Sequence, residues 1–182
     1  LIATTENALI AYETDGGSEQ WRVPLATFGY GRPTIADLPL GSGPEVVASD
    51  IGGDVVAVHG NGTVAWRQSL NETGWERTTV WQSPTVADYD ADGNSEILLG
   101  SNSGPVLLSA TGAIEWQREG GATYTVTAQT DDDPAMELFT ADTDGVRAYD
   151  GRTGALDWER EFTDARIRTA TDSDGDGRVE LY

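Results

Sequence analysis

The sequence predicts an all-β chain, a β-propeller built of four-stranded antiparallel blades, from three observations. An acidic nine-residue frame recurs four times along the 182 residues, a tryptophan follows three of these frames by about 21 positions, and four short strand patterns fill each unit. Tandem four-stranded units of roughly 40 to 50 residues are typical of propeller blades. No segment shows helical periodicity.

The acidic frame is clearest in residues 88–96 (DYDADGNSE), with carboxylates at positions 1, 3, 5 and 9 and glycine at position 6. It returns in residues 172–180 (DSDGDGRVE). Two copies are degenerate. Residues 129–137 keep the carboxylates at positions 3, 5 and 9 but have Pro134 at position 6, and residues 37–45 keep only the first and last.

The tryptophans set the register of the repeat. Glu45 leads to Trp66, and Leu1 fits the position just after such a glutamate, which brings Trp21 into line. Residues 1–29 are expected to form strands 2 to 4 of a partial blade. Three blades should follow, at residues 30–79, 80–121 and 122–164. Residues 165–182 should hold strand 1 and the acidic loop of a next or closing blade. These make about four blades, either closed on themselves or part of a larger propeller. A start inside a repeat favours an excerpt from a longer protein.

Within a blade the strand patterns are short and bounded by Gly, Asn and Asp turns. In the blade at 80–121 they are PTVAD (84–88), EILLG (96–100), PVLLSA (105–110) and AIEWQRE (113–119). Such segments are typical of hairpins. Since one blade cannot bury both faces of its sheet, large apolar residues must pack between neighbours. We expect this of Trp21, Trp66, Trp116 and Trp158.

The charge balance excludes several classes of partner. The chain has 31 acidic and 11 basic residues, a formal net charge of −20, and no lysine or cysteine. This charge argues against binding to nucleic acid or an anionic membrane. It is typical of proteins from salt-loving archaea, in which concentrated salt screens self-repulsion. No stretch approaches the roughly 20 apolar residues of a membrane span, and a single histidine, His59, rules out a multi-histidine metal site.

The acidic frames predict calcium sites. Hard oxygen donors at alternate positions of a tight turn can converge on one cation, and the glycine lets the backbone wrap around it. An EF-hand is disfavoured because its loop needs glutamate at position 12 and flanking helices. Solvated acidic surface is the simpler alternative, but it would not repeat one frame at equivalent places. The ion is expected to be structural, since it neutralises crowded carboxylates, and no ion is expected in the loop at 37–45.

The loops at 88–96 and 172–180 resemble the FG-GAP and VCBS repeats of calcium-binding propellers, although the Phe-Gly and Gly-Ala-Pro signature of that family is not intact. The resemblance implies side-chain ligands and one backbone carbonyl in each loop. The implied sets are Asp88, Asp90, Asp92, the carbonyl of Asn94 and Glu96, and Asp172, Asp174, Asp176, the carbonyl of Arg178 and Glu180. Residues 148–158 (AYDGRTGALDW) resemble the docking motif of PQQ-like propeller repeats, and residues 11–21 are a looser copy.

The longest inter-blade connection, residues 67–83, carries Trp75 and Trp81. In a propeller it lies on the face opposite the acidic loops. With Arg77 and Tyr30 the tryptophans either form a sugar or protein contact patch or pack the insertion onto the blade. Two glycosylation sequons are present: a type I′ turn explains Asn61-Gly62 better, and Asn71 is the more believable glycan site.

These patterns favour a non-enzymatic, calcium-binding propeller domain of a secreted or cell-surface protein, acting in adhesion or in protein or glycan binding. The alternative is a fragment of a propeller enzyme. A polysaccharide lyase would need a base such as Arg32, Arg77 or Arg166, and a PQQ-dependent dehydrogenase would be expected to have an adjacent cysteine pair, which argues against PQQ. A third reading is a scaffold resembling outer-membrane assembly propellers, against which the acidic loops count.

Overall fold

The computed structural model describes residues 1–73, 78–176 and 178–182, whose strands form five antiparallel sheets. The first sheet has three strands: β1 (Ile2–Thr4), β2 (Ala8–Tyr12) and β3 (Glu19–Pro24). The second has β4 (Thr34–Ala36), β5 (Glu45–Ser49), β6 (Asp54–His59) and β7 (Val64–Ser69). A short 3-10 helix, Leu70–Thr73, follows.

The third sheet comprises β8 (Thr85–Ala87), β9 (Glu96–Gly100), β10 (Pro105–Leu108) and β11 (Ile114–Gln117). The fourth comprises β12 (Tyr124–Ala128), β13 (Glu137–Ala141), β14 (Gly145–Asp150) and β15 (Leu156–Glu161). The last has two strands, β16 (Ala170–Thr171) and β17 (Glu180–Leu181). Each four-stranded sheet pairs its strands in chain order, so the predicted propeller with four-stranded antiparallel blades is confirmed. No helix among the described residues is long and apolar enough to cross a membrane.

The core lies between successive blades. Every residue of the second strand is buried in all three complete blades. Because successive strand residues point to opposite faces, β5 serves two interfaces. Its Val46 packs with Leu9 of the first blade, and its Val47 packs with Leu99 of the third. Blades therefore bury their faces against each other.

Tryptophans join neighbouring blades as predicted. The indole Nε1 of Trp21, Trp66 and Trp116 donates to a backbone carbonyl in the strand 3–4 turn of the next blade, at 3.0, 2.9 and 2.8 Å. Each ring also covers a glycine of that turn, where a Cβ atom would lie 2.6 to 2.7 Å from the ring; these glycines are Gly62, Gly112 and Gly154. The packing prediction is confirmed for these three tryptophans. Trp158 is different, because it remains 36% exposed.

The turn at Asn61-Gly62 is not of type I′, so that prediction is wrong. Gly62 has a φ of +88°, but Asn61 does not share its positive φ, which type I′ requires. The Gly62 N–H donates to the His59 carbonyl, and the ladder between β6 and β7 shifts register beside this turn. A bulge with glycine in the left-handed region replaces the two-residue turn. The first, third and fourth sheets also have a strand 3–4 turn, and each shows the same register shift beside it.

Replacing Gly112 with alanine should separate steric packing from backbone strain. Gly112→Ala places a Cβ 2.7 Å from the Trp66 ring at a φ of +84°, so we expect a loss of about 2 to 4 kcal/mol in the free energy of unfolding in urea. Gly43→Ala is the matched control, because Gly43 has a φ of +91° and nothing within 4 Å of its Cβ position. It should lose only about 1 kcal/mol. Equal losses would contradict a role for the tryptophan contact.

Candidate metal centre

The acidic loops connect the first and second strands of a blade. In the third blade, the pair of β8 and β9 residues next to the loop is Ala87 with Glu96. The loop at 88–96 therefore leaves the sheet and returns to it at the same pair. Glu96 is the first residue of β9 and is only 2% exposed, whereas Asp88 is half-buried. One carboxylate of the loop is thus buried beneath the others.

Carboxylates converge in three of the loops. In each, one carboxylate oxygen from every member lies within 4.8 Å of the others. The groups are Asp88, Asp90 and Glu96; Asp131, Asp133 and Glu137; and Asp172, Asp174 and Glu180. Calcium binds oxygen at 2.3 to 2.6 Å, so two ligands of one ion lie at most about 5 Å apart. The donors present therefore fit a calcium ion.

Loop amides orient these carboxylates. Asp88 accepts from the N–H groups of Asp92 and Gly93, both at 3.1 Å, and Asp90 accepts from Asp92 at 3.0 Å. Gly93 has the positive φ, +93°, that the sequence predicts for position 6. Ala91 also has a positive φ, +61°, which the sequence did not indicate, since alanine pays a steric cost there. The corresponding glycine of the last loop, Gly177, lies outside the described residues.

The glutamate at position 9 closes every loop. Its Oε2 accepts the backbone N–H of position 2 in all four copies, at 2.5 to 3.0 Å. The four glutamates are Glu45, Glu96, Glu137 and Glu180. This bond is present even in the loop at 37–45, which has lost its middle carboxylates. Position 9 therefore has a structural role that does not depend on a metal.

Burial raises the pKa of Glu96 to about 7, with smaller contributions from repulsion by Asp90, Glu115 and Asp92. The Tyr89 N–H, 2.8 Å from Oε2, partly opposes this shift by stabilising the carboxylate. A group this poorly solvated and surrounded by acids gains most from a neutralising cation.

The remaining predicted ligands lie outside the converging groups. Asp92 Oδ1 accepts from the backbone N–H of Asn94 at 2.7 Å and from its side-chain amide at 2.9 Å. Asp176 Oδ1 accepts from the Arg178 N–H at 2.9 Å. These four residues stay predicted ligands.

The two degenerate loops differ from each other. Asp131 and Asp133 converge with Glu137 although Pro134 occupies the glycine position. In the loop at 37–45, the buried Glu45 instead contacts the ring of His59, with Nδ1 3.0 Å from Oε1. The single histidine of the chain is thus a neighbour of the one loop without the middle carboxylates.

Sequence reasoning missed two acids beside the loops. Burial raises the pKa of Glu115 on β11, and Asp90 and Asp92 raise it further. Burial likewise raises the pKa of Asp157 on β15, and repulsion by Asp150, Asp131 and Asp133 raises it further. Each acid immediately precedes the blade tryptophan, whereas Ala65 has this position in the blade whose loop lacks the middle carboxylates. An acid directly before the blade tryptophan, in blades whose loops keep the middle carboxylates, is a signal visible in the sequence.

Contacts from the fourth blade hold the loop of the third. Arg152, in the turn between β14 and β15, donates Nε and Nη2 to the Asp90 carbonyl at 3.0 and 2.7 Å. The Met136 N–H donates to the Tyr89 carbonyl at 3.1 Å. The acidic loop is therefore also part of a blade interface, which sequence reasoning did not anticipate.

Aromatic side chains gather on the connections before β4 and β8. Trp81 is 45% exposed and meets Tyr30, 61% exposed, edge to face at a centroid distance of 5.7 Å. Phe28 lies 6.3 Å from Tyr30. Trp75 and Arg77 fall outside the described residues. By strand order these connections share the propeller face opposite the acidic loops.

Asn71, the proposed glycan site, uses both atoms of its amide within the fold. Nδ2 donates to the Gly52 carbonyl, and Oδ1 accepts from the Thr78 N–H at 2.9 Å. A glycan on Nδ2 would have to displace the first of these bonds. Asn61 accepts from the Thr63 N–H at 2.9 Å within its turn.

The stability of the calcium-free protein should fall as pH rises from about 5 to 7. Folded Glu96 has a pKa of about 7 against 4.5 for the free group, so the folded state holds a proton that the unfolded state has released. The free energy of unfolding should drop by about 1 to 3 kcal/mol across this window. Glu96→Gln should flatten the drop in urea titrations at each pH, whereas the exposed-residue control Glu6→Gln should not. A wild-type slope in Glu96→Gln would contradict this role.

Comparisons with known proteins support the propeller fold. A family model described as outer membrane protein assembly factor BamB matches residues 5–180. Similar solved structures include BamB from Moraxella catarrhalis (20% identity, TM-score 0.53), Sqt1 from Chaetomium thermophilum bound to the N-terminus of ribosomal protein L10 (16%, 0.61), and the V. cholerae biofilm matrix protein Bap1 (19%, 0.60). They cover 88%, 92% and 100% of this chain, which spans 47%, 46% and 31% of theirs.

A search of curated proteins by sequence gave no match. The expectation that the acidic loops count against an outer-membrane-assembly type of propeller is wrong, because the family model runs through all four loops. The chain belongs to the family described as outer membrane protein assembly factor BamB.

Proposed function

We propose that this chain is a non-enzymatic, calcium-binding propeller domain of a secreted or cell-surface protein that binds protein or glycan ligands, as in adhesion. The observation that carries the proposal is the convergence of three carboxylates in each of three equivalent loops. Independent acidic surface turns would not bring their oxygens together at the same place in successive blades. The FG-GAP and VCBS resemblance of the loops supports calcium as the ion.

Calcium suits these sites better than a transition metal. The donors are carboxylates without histidine or cysteine, which favours a hard cation. Calcium tolerates irregular geometry and accepts water as a ligand, and the loops at 88–96 and 172–180 lie mostly at the surface. The ion would neutralise the converging groups, and the contacts of Arg152 and Met136 would carry that ordering into the next blade.

Protein or glycan binding has support from the fold and from the exposed aromatic residues. Sqt1, a similar propeller, is bound to the N-terminus of ribosomal protein L10, and another similar structure is a complex of BBS1N with ARL6DN. Phe28, Tyr30 and Trp81 provide an exposed aromatic surface for such a ligand. An enzymatic role has less support, because Arg166, one of the candidate bases, pairs with Asp164 at 3.2 Å.

Calcium should raise the thermal midpoint of the full chain, and removing Asp90 should reduce the effect. A ligand at 100 times its Kd adds about 2.7 kcal/mol, or about 5 to 10 °C for a domain of this size. Asp90→Asn should bind one fewer ion in calorimetric titration and lose part of the shift. Asp132→Asn, which removes an acid outside the converging groups, should keep the wild-type ion count. No calcium heat in the wild type, or unchanged binding in Asp90→Asn, would contradict the proposal.

The aromatic surface should be required for ligand binding and not for folding. Trp81→Ala should leave the thermal midpoint within about 2 °C, since the side chain is nearly half exposed. In a screen of immobilised glycans and peptides, ligands of the wild type should lose at least about tenfold in affinity, about 1.4 kcal/mol. Phe162→Ala, at another exposed aromatic residue (58% exposed), is the matched control. Ligands retained equally by Trp81→Ala would place the binding surface elsewhere.

A further inference from the structure

The acidic loops of the third and fourth blades are hydrogen-bonded to each other. The N–H of Met136, at position 8 of the fourth blade's loop, donates to the carbonyl of Tyr89, at position 2 of the third blade's loop, at 3.1 Å. Each partner is also tied to the glutamate of its own loop. The Tyr89 N–H donates to Glu96 Oε2 at 2.8 Å, and Met136 directly precedes Glu137. One backbone hydrogen bond therefore joins two groups of converging carboxylates.

The side chains at this contact belong to the core between the two blades. Tyr89 is 1% exposed and packs with Trp116 and Leu138. Met136 packs against the same cluster. Because interiors are close-packed, a shift of either loop disturbs this shared core.

Gly151, in the turn between β14 and β15, lies against both loops. A Cβ atom at this position would overlap the carbonyl oxygen of Met136 and would lie 3.0 Å from that of Tyr89. The next residue, Arg152, donates two hydrogen bonds to the carbonyl of Asp90. The missing side chain at Gly151 thus allows the two loops to approach each other and the turn.

The loops of the second and third blades lack this contact. Residues 37–45 and 88–96 are all described, and no backbone hydrogen bond joins these two loops. A cleft of about 230 Å³, lined by residues of both loops, lies between them. Ala110 takes the place of Gly151 in the corresponding turn, since each accepts the indole N–H of the preceding blade's tryptophan. The contact therefore occurs where both loops have converging carboxylates, and not where one has lost them.

We propose that the loops at 88–96 and 129–137 bind calcium cooperatively, because both ions order the same contact between Tyr89 and Met136. This inference rests on the proposed function, since it concerns the same calcium sites. The first ion orders the shared contact, so the second ion loses less conformational entropy on binding. By linkage, each ion raises the calcium affinity of the other loop by the same factor.

Electrostatic effects between the loops are separable from this contact. Two bound divalent cations repel each other, and any acid removed from one loop attracts the cation in the other less strongly. Molar salt shortens the range of both effects to about 3 Å, whereas a buried, hydrogen-bonded contact is screened much less. Cooperative binding in molar salt therefore reports the contact between the loops.

Calcium titrations of the 182-residue chain by NMR in molar salt can follow each loop separately. The Gly93 N–H donates to Asp88 at 3.1 Å, and the Ala135 N–H donates to Asp133 at 2.7 Å. Each of these amides is bonded to a carboxylate of its own converging group. Their resonances therefore give the calcium affinity of each loop.

Asp131→Asn should weaken calcium binding at 88–96 at least about fivefold, although the substitution lies in the other loop. Asp90→Asn should weaken binding at 129–137 to a similar extent. Asp132→Asn is the matched control, because it removes the same charge from the same loop but lies outside the converging group. It should leave the affinity at 88–96 at the wild-type value.

Gly151→Ala should remove the coupling, since its Cβ displaces the carbonyls that meet there. In this background, Asp131→Asn should no longer change the affinity at 88–96. Gly60→Ala is the matched control, because Gly60 has the same place in the second blade's turn and its Cβ would be 3.7 Å from the Pro44 carbonyl oxygen. In that background the effect of Asp131→Asn should remain.

Comparing Asp131→Asn with Asp132→Asn decides the question even without the glycine variants. Equal affinities at 88–96 in the wild type and in Asp131→Asn would overturn the coupling while leaving the calcium sites intact. Equal effects of the two aspartate variants, coupling that survives Gly151→Ala, or calcium binding at 88–96 alone would also overturn it. No calcium-dependent change in either loop would overturn the proposed function as well.

Discussion

Like charges brought together in three of the acidic loops are the constraint on which the rest of the structure depends. Three carboxylate oxygens lie within 4.8 Å of one another in the loop at 88–96, and Glu96 is buried. At that separation two unit charges repel by about 3.5 kcal/mol at an effective dielectric constant of 20. The fold holds them there through loop amides and the Tyr89 N–H. A proton on Glu96 relieves part of this repulsion, and a divalent cation would relieve it further.

The same loop connects local electrostatics to the assembly of blades. Its Tyr89 and Asp90 carbonyls accept from Met136 and Arg152 of the following blade. Close by, Trp116 packs on the glycine of the same turn that carries Arg152. The ordering of the loop and the contact between the blades therefore depend on the same small region. Neutralising the carboxylates would stabilise the interface as well as the loop. This is why a bound ion can have a structural role without any chemistry.

The fold was predictable because repetition strengthens weak local signals. A single acidic turn or tryptophan means little, but the frame and Trp66, Trp116 and Trp158 in common register identify blades. The residues that could not be predicted depend on contacts between blades or on backbone strain. Arg152 reaches a carbonyl 62 positions away, and Ala91 has a conformation that its residue type disfavours. Local patterning contains no information on either.

The acidic frame also gave an incomplete picture of the site. It weighted positions 1, 3, 5 and 9 equally, whereas only positions 1, 3 and 9 form the converging group, and position 9 closes the loop even where the middle acids are missing. Pro134 takes the glycine position of the loop at 129–137, yet Asp131 and Asp133 still converge with Glu137. Hydrogen bonds from loop amides to carboxylates, which residue types alone do not specify, account for both differences.

Anomalous diffraction from crystals grown with calcium tests the central claim most directly. The proposed site predicts a calcium peak in the loop at 88–96, about 2.3 to 2.6 Å from oxygens of Asp88, Asp90 and Glu96, with an equivalent peak in the loop at 172–180. Ordered carboxylates with only water between them at saturating calcium would contradict it.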